Sequence, residues 1–167
     1  LGLDTAHKTA YDYAIKNGYE YFITMDADLS HDPKEIIKIL NLLESKPFVI
    51  GSRYAKGGSC KMTGWRLILS IYGNKLIKKV LSINCNEFTT SYRGYNLRKL
   101  QNFNLNLVKS KGYSFFMETL FRLNEKNIPI FEIPIQFRPR KHGKSKIPSI
   151  EILRTLKNII LLKLKKI

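Results

Sequence analysis

The chain has 167 residues, of which 44% are hydrophobic and 25% charged, and these are the proportions of a soluble globular core. They exclude a wholly disordered chain and a collagen-like one, and the length suits one domain or a large part of one. Lysine and arginine together number 29 against 13 acidic residues, so the formal net charge of +16 predicts anionic partners: nucleic acid, an anionic membrane surface or phosphorylated substrates.

The first third of the chain predicts helices that alternate with strands. Small and aromatic residues at helical spacing predict a helix over residues 5–16, and an aromatic and β-branched run predicts a buried strand over 21–25. A second helix is expected to begin near Pro33, followed by a second strand over 48–51. This alternation is typical of a parallel α/β sheet.

The middle of the chain predicts two more amphipathic helices, over residues 65–81 and 114–127. The apolar stripe expected on the first of them consists of Trp65, Leu69, Tyr72 and Leu76. Arg66 and Ser70 lie one step round the same helix, four residues apart, so both would face one way and could bind one anion.

The last forty residues combine a strand, a loop and a helix. Residues 128–137 have a strand-like pattern that two prolines confine to an edge or a broken strand, and 138–146 form a basic loop. A helical pattern follows from Pro148 onward, and two roles for this helix stay open: it lies in a membrane interface, or it packs on the domain with its lysines in solvent. Ten basic residues lie between 138 and 167 against Glu151 alone, so this end holds more than half of the net charge.

Two carboxylates follow the first predicted strand directly, in Asp26-Ala27-Asp28. In open α/β sheets, ligands bind outside the carboxyl ends of the strands. Two neighbouring carboxylates repel each other and favour a cation, and hard oxygen ligands suit Mg²⁺ or Mn²⁺, which could hold the diphosphate of a leaving nucleoside diphosphate. The alternative is a solvated turn in which Ser30 or Asp32 caps the next helix. Spacing alone leaves both open.

Arginines and lysines beside glycines form a second pattern, at residues 51–58, 65–66 and 140–146. Glycine lets the backbone approach a ligand, and the arginine fork binds phosphate oxygens through two parallel hydrogen bonds. The alternative for any single one of these residues is a solvated side chain. Their combination with the carboxylate pair favours a phosphate-binding site.

Four motifs occur in order: residues 21–33 (YFITMDADLSHDP), 51–58 (GSRYAKGG), 89–93 (TTSYR) and 132–146 (EIPIQFRPRKHGKSK). Together they resemble dolichol-phosphate mannose synthases and related polyprenyl-phosphate glycosyltransferases of the GT-A type, family 2. The resemblance covers nearly the whole chain. It implies an α/β fold, a GT-A (Rossmann-like) nucleotide-diphospho-sugar transferase domain, with a basic amphipathic C-terminal helix.

The resemblance implies donor-side roles for several residues. Asp26 and Asp28 match the metal and nucleotide-diphosphate site, with the Ala27 backbone alongside, and Ser30 falls where the family completes the metal shell. Arg53 matches an arginine that contacts phosphate, so that Asp28 and Arg53 are the expected catalytic residues. Mg²⁺ or Mn²⁺ is the implied cofactor.

Further roles follow from the same resemblance. The family's contacts to the acceptor phosphate match Arg53, Arg66 and Ser70. A mobile basic loop that closes over the donor diphosphate in the family matches Arg140 and Lys146. Trp65 is expected to shape the acceptor entrance.

The chain also departs from the family pattern. The strand and loop that hold the nucleobase and ribose are absent, and there is no initiator methionine, so we expect an N-terminally incomplete domain. Residues 1–146 are expected to form a partial GT-A catalytic domain and 147–167 a basic helix. Glu87 stands where relatives have Asp, and Ser91 where they have Gly. A shifted acceptor or a weaker enzyme is therefore open.

The function expected from the resemblance is inverting transfer of a sugar, foremost mannose from GDP-mannose, to a polyprenyl or dolichyl phosphate; another donor such as UDP-glucose is the alternative. A lipid phosphate is already an anion, so no strong general base is required. The expected location is cytoplasmic, peripheral on the cytosolic face of a membrane, with the membrane surface and a small membrane subunit as partners. Two cysteines suit a reducing compartment. The first residues do not have the pattern of a signal peptide, so none is expected, and the sequence has no run of about 18 apolar residues.

Two functions of other classes stay open. A basic nucleic-acid-binding module would use residues 138–146 to follow a phosphate backbone. Against it, the carboxylate pair would repel that backbone, and the sequence has no helix-turn-helix, zinc or stacking motif, so nucleic acid is not an expected partner. A catalytically dead transferase-like scaffold is the other alternative.

Overall fold

The computed structural model describes residues 2–138 and 149–165. Its elements, in chain order, are α1 (Leu3–Lys16), β1 (Tyr21–Thr24), α2 (Glu35–Leu43), β2 (Phe48–Ser52), β3 (Ser59–Cys60), α3 (Trp65–Leu81), β4 (Arg93–Asn96), a 3₁₀ helix (Leu105–Leu107), α4 (Tyr113–Glu125), β5 (Phe131–Pro134), β6 (Gln136–Phe137) and α5 (Ser149–Lys163). The α/β class is confirmed, and so are the expected helices.

The main sheet has the strand order β1-β4-β2-β5. Strand β4 runs antiparallel to both of its neighbours, β1 and β2, whereas β2 and β5 are parallel. The expectation of a parallel sheet is therefore right for β1, β2 and β5 and wrong for the strand between them. Strand β4 carries a buried arginine and a glycine, which do not produce the apolar run by which a strand is recognised.

Residues 128–137 form a broken edge strand, as their prolines predict. Strand β5 lies at the edge of the main sheet, and the chain then leaves it to pair β6 with β3 in a second, two-stranded sheet. The N–H of Ile135, between the two strands, donates to the Ser52 carbonyl oxygen at 3.1 Å. This crossing brings Phe137 close to the loop that follows β2.

The core lies on both faces of the main sheet because neighbouring side chains of β2 point to opposite sides. Phe48 and Ile50 pack into the larger cluster, with residues of α1, α3, α4 and α5. Val49 packs into the smaller cluster on the other face, against Ile39 and Leu43 of α2.

Helix α2 lies so close to β4 that only a glycine fits between them. A Cβ atom built on Gly94 would stand 2.4 Å from Cγ2 of Ile39 and 2.8 Å from Cδ1 of Leu43. Gly94 weakens the strand pattern of β4 in the sequence, and the same residue allows α2 to pack closely on that strand.

The apolar stripe predicted on α3 lies mostly on the exposed side of the helix. Trp65, Tyr72 and Leu76 expose 59%, 65% and 43% of their surface, whereas Ile77 and Leu81 are buried. The predicted helix is confirmed over its whole length, and the structure adds which of its sides is covered.

Helix α5 inserts Ile159 and Leu162 into the larger core cluster. The domain boundary expected between residues 146 and 147 lies outside the described residues. Among the helices that are described, none has the length and hydropathy needed to span a bilayer.

Candidate functional site

The carboxylate pair lies in the loop that follows β1, at the carboxyl end of that strand. Oδ1 of Asp28 accepts a hydrogen bond from the N–H of Ser30 at 3.0 Å and another from the Ser30 hydroxyl group. Ser30 is fully buried, and Leu29 between them has a φ of 65°. A leucine in this left-handed conformation carries strain, which is often stored at functional sites. The tight turn fixes the direction of the Asp28 carboxylate.

Asp26 forms hydrogen bonds with two residues, one through its carboxylate and one through its backbone N–H. The Ser91 hydroxyl group donates to Oδ1 of Asp26 at 2.6 Å, and the Asp26 N–H donates to Nδ1 of His31 at 3.2 Å. His31 is 3% exposed, stacks on Tyr92 with ring centres 4.9 Å apart, and places Nε2 3.3 Å from the Thr90 hydroxyl oxygen. Burial lowers the pKa of His31 below its ordinary value, which suits a neutral ring with Nδ1 as acceptor.

Two carboxylates, those of Asp26 and Asp28, are the side chains at this loop that suit a divalent cation. Across residues 2–138 and 149–165, no group of three or more His, Cys, Asp or Glu side chains is placed to hold a metal ion. Magnesium is usually bound through one or two carboxylates together with substrate phosphates rather than in an all-protein cage. Asp26 and Asp28 fit an ion of that kind, shared with a diphosphate.

Arg53 follows β2 and is almost completely buried beside a carboxylate. Its Nε donates to Oε2 of Glu87 at 2.6 Å, and its Nη2 donates to Oε1 of Glu87 at 2.8 Å and to the Thr89 hydroxyl oxygen at 2.7 Å. Burial alone would raise the pKa of Glu87, but the Arg53 guanidinium holds it below its ordinary value. Both groups are therefore charged and form a buried ion pair.

This ion pair leaves only part of the Arg53 guanidinium for a ligand. Three of its five N–H groups are used by Glu87 and Thr89, and within the described part of the chain the two on Nη1 have no hydrogen-bond acceptor. Its charge is already balanced. Nη1 is thus the part of Arg53 whose hydrogen atoms are left for a further acceptor.

Arg66 and Ser70 lie on α3, as their spacing predicts. Arg66 is exposed, with its guanidinium carbon 5.7 Å from the centre of the Trp65 ring. Ser70 is half-buried, and its hydroxyl oxygen accepts a hydrogen bond from the Tyr54 hydroxyl group at 2.7 Å. Tyr54 is the residue after Arg53, so the structure brings Ser70 and Arg53 together through it.

The carboxylate loop and the arginine belong to one site because Phe137 lies between them. Its ring centre is 5.2 Å from the Arg53 guanidinium carbon and 5.4 Å from the centre of the His31 ring. The next residue, Arg138, donates its N–H to the Ser30 carbonyl oxygen at 3.0 Å and Nη2 to Oδ2 of Asp32 at 2.9 Å. The donor-side residues Arg140 and Lys146 lie outside the described residues.

A fully buried arginine supports the loop that connects these groups. Arg93 donates to the carbonyl oxygens of Thr90, Phe116 and Phe88 at 2.9, 2.8 and 3.2 Å. Burial lowers the pKa of Arg93 from its ordinary value. The carbonyl groups satisfy the guanidinium and fix the segment from which Glu87 and Ser91 reach Arg53 and Asp26.

Sequence reasoning did not assign roles to His31, Tyr54, Glu87 or Ser91. Their contacts join segments far apart in the chain, which no local pattern reveals. The resemblance at residues 89–93, together with Glu87 and Ser91 as departures from the family pattern, was the signal that marked this loop as part of the site.

Comparison with known proteins gives consistent matches. Residues 1–103 match the profile described as Glycosyl transferase family 2. The chain is 33% identical over 153 residues to "Polyprenol monophosphomannose synthase" of Mycolicibacterium smegmatis, covering 90% of this chain and 58% of that protein. It is 34% identical over 149 residues to "Undecaprenyl-phosphate mannosyltransferase" of Micrococcus luteus, covering 87% and 60%. The chain thus spans about three-fifths of the length of these relatives.

Proposed function

Because this chain belongs to glycosyltransferase family 2, we propose that it transfers a sugar from a nucleoside-diphosphate sugar to a polyprenyl phosphate. Both relatives carry names that join a polyprenol to mannose, so mannose is the proposed sugar and GDP-mannose the proposed donor. The observation that carries the proposal is the single site in which Phe137 joins the carboxylate loop to Arg53.

The donor diphosphate is proposed to bind at Asp26 and Asp28, next to the Ala27 backbone. A Mg²⁺ or Mn²⁺ ion on these carboxylates, with the Ser30 oxygen alongside, would neutralise charge on the leaving diphosphate. Ser30 and Ser91 orient the two carboxylates through the hydrogen bonds described above. Arg140 and Lys146 are proposed to contribute positive charge on the same side.

The acceptor phosphate is proposed to bind at Arg53, Arg66 and Ser70. One of its oxygens forms a bond to the anomeric carbon while the bond from that carbon to the diphosphate oxygen breaks. Attack from the opposite side inverts the configuration. Because the nucleophile is already an anion, the protein positions two anionic groups and balances their charge. Asp28 and Arg53 are the proposed catalytic residues.

A membrane surface is the proposed location of the acceptor. Helix α3 exposes Trp65, Ile68, Tyr72 and Leu76, and α5 exposes Leu153, Leu156, Ile160 and Leu164. Both sets follow the same helical spacing, and the two helices pack against each other. Exposed apolar stripes with lysines beside them are typical of helices that lie in a membrane interface. We propose peripheral attachment to the cytosolic face, with a small membrane subunit as a further partner.

Calorimetric titration tests the class of function. GDP-mannose, UDP-glucose and a short DNA duplex would each be titrated into the chain with and without Mn²⁺, using Asp28→Asn as the comparison. We expect Mn²⁺-dependent binding of one nucleotide sugar, which identifies the donor, and its loss in Asp28→Asn. Binding of the duplex alone would favour a nucleic-acid module and contradict the proposal, as would the absence of any binding.

A further inference from the structure

Tyr54 contacts two of the residues proposed to bind the acceptor phosphate. Its hydroxyl group donates to the Ser70 hydroxyl oxygen at 2.7 Å, and its ring centre lies 5.1 Å from the guanidinium carbon of Arg53. We propose that Tyr54 is a positioning residue that orients Ser70 and Arg53 toward the phosphate of a lipid acceptor. The inference rests on the proposed function and adds a residue to its acceptor site.

The hydrogen bond decides which way the Ser70 proton points. A hydroxyl group has one proton to donate and two lone pairs. When Tyr54 occupies a lone pair of Ser70, the Ser70 proton is available to an acceptor. A phosphate oxygen is such an acceptor, and it cannot donate in return when ionised. Tyr54 therefore sets Ser70 as a donor.

Two threonine hydroxyl groups in this chain instead donate to a carbonyl oxygen of their own helix. Thr119 donates to the carbonyl oxygen of Phe115 and Thr155 to that of Glu151, each at 2.8 Å and each four residues earlier in its helix. This back-bonding is the usual arrangement for Ser and Thr inside helices. Within the described residues the Ser70 proton has no such partner. Its hydroxyl group is directed by Tyr54 instead of by its own helix.

The ring of Tyr54 limits the movement of Arg53. Glu87 fixes Nε and Nη2, while the rings of Tyr54 and Phe137 lie 5.1 and 5.2 Å from the guanidinium carbon. The N–H groups left over are those of Nη1. Tyr54 therefore contacts both groups that could donate hydrogen bonds to a phosphate. One is the Arg53 guanidinium, through Nη1, and the other is the Ser70 hydroxyl group.

The turn after β2 holds Tyr54 in place without help from its hydroxyl group. The Ser52 hydroxyl oxygen accepts from the N–H of Tyr54 at 3.3 Å and from the N–H of Ala55 at 3.0 Å. Burial raises the pKa of the Tyr54 phenol, so it remains a donor at neutral pH. Removing the hydroxyl group alone should leave the ring in position.

Tyr54→Phe is the test variant, and Tyr13→Phe is its matched control, because Tyr13 lies on α1 with 61% of its surface exposed and has no part in the proposed site or membrane surface. The chain has one tryptophan, Trp65, at the first residue of α3, whose fluorescence would report binding. Farnesyl phosphate and farnesol are the probes. The thermal midpoint of each variant would show that it is folded.

We expect the parent chain and Tyr13→Phe to bind farnesyl phosphate more tightly than farnesol. In Tyr54→Phe the affinity for the phosphate should fall about tenfold, because the Ser70 proton is no longer directed at the phosphate and its hydrogen bond to that charged group is weakened, while farnesol binding stays unchanged. Ser70→Ala should show the same loss, and the double variant should be no worse than Ser70→Ala. An unchanged phosphate affinity in Tyr54→Phe would overturn the inference and leave the proposed function intact. No preference for phosphate in the parent chain would overturn both.

Discussion

The Ser91 hydroxyl group donates to Oδ1 of Asp26 at 2.6 Å and so joins the loop after β1 to the segment that leads into β4. The same segment contributes Glu87 and Thr89 to Arg53. One segment, residues 87–91, therefore holds both a carboxylate proposed for the donor and the arginine proposed for the acceptor. Both halves of the proposed reaction depend on the shape of this segment.

Asp28→Asn should abolish metal-dependent binding of a nucleoside diphosphate. The substitution keeps the shape of the side chain but removes the charge that attracts a hard cation. We expect at least about a tenfold loss of Mn²⁺ affinity in the presence of GDP, measured by electron paramagnetic resonance. Asp12→Asn, an exposed carboxylate that contacts Asn106, is the control and should bind as the parent does. Full Mn²⁺ binding by Asp28→Asn would exclude it as a ligand.

Arg66→Ala should impair use of the lipid phosphate more than use of the donor. Arg66 is exposed on α3, so its loss leaves no buried partner unpaired. We expect the KM for polyprenyl phosphate to rise about tenfold, with the donor KM unchanged, in line with the loss of one charged hydrogen bond. Lys79→Ala on the same helix is the control for charge. Equal effects of the two variants would indicate a general electrostatic attraction instead of a specific contact.

Two glycine substitutions should shift stability in opposite directions. Gly94→Ala forces a Cβ atom against Ile39 and Leu43, and such overpacking costs about 1–3 kcal/mol of unfolding free energy. Gly73→Ala, inside α3 with nothing within 4 Å of its Cβ position, should stabilise by about 0.5–1 kcal/mol. Urea denaturation measures both. A destabilised Gly73→Ala or a neutral Gly94→Ala would contradict the packing of α3 or of α2 on β4.

Stability should fall as the pH drops below about 6.5. Burial, with Arg93 nearby, lowers the pKa of His7 below its ordinary value of 6.5, and burial likewise lowers the pKa of His31. The unfolded chain therefore takes up protons first, so stability is complete above 6.5 and decreases below it. His7 packs on Phe115 and Phe116.

The measurement is urea denaturation between pH 7.5 and pH 5. His7→Gln should reduce the slope by up to about 1.4 kcal/mol per pH unit, the value for one proton. A slope that is the same in His7→Gln and in the parent chain would show that His7 titrates normally in the folded state.

Leu153→Ser and Ile160→Ser should weaken binding to anionic liposomes. These two side chains are 67% and 58% exposed on α5, so the substitutions remove apolar contact with a membrane and leave the core unchanged. Deleting the last fifteen residues is a poorer test because it also removes Ile159 and Leu162 from the core. Ile37→Ser on α2, which is 64% exposed, is the control. Unchanged sedimentation of both α5 variants would argue against the membrane interface.

Local patterns in the sequence predicted the parts of the fold that depend on local chemistry. Helix α3 was predicted over its full extent, and the prolines of residues 128–137 predicted a broken edge strand. Strand β4 was missed because Gly94 is required by the close approach of α2, a relationship between distant segments. The sequence did not indicate which face of α3 is covered, because periodicity does not identify what packs against a helix.

The candidate site likewise has residues that a local pattern identified and partners that only the structure identified. Asp26 and Asp28 were found because two carboxylates after an apolar strand form a local pattern, and Arg53 because it lies between glycines. The pairing of Arg53 with Glu87 spans 34 residues, and the contact of Asp26 with Ser91 spans 65. Such partners are set by the sheet topology, so only the structure could identify them.

Transfer of radiolabelled mannose from GDP-mannose tests the central claim most directly. The chain would be incubated with Mn²⁺ and either a polyprenyl phosphate or the matching polyprenol, with Asp28→Asn as the background. The account predicts label in the lipid fraction with the phosphate, none with the alcohol, and none with Asp28→Asn. Equal labelling of phosphate and alcohol, or equal labelling by the parent chain and Asp28→Asn, would contradict it.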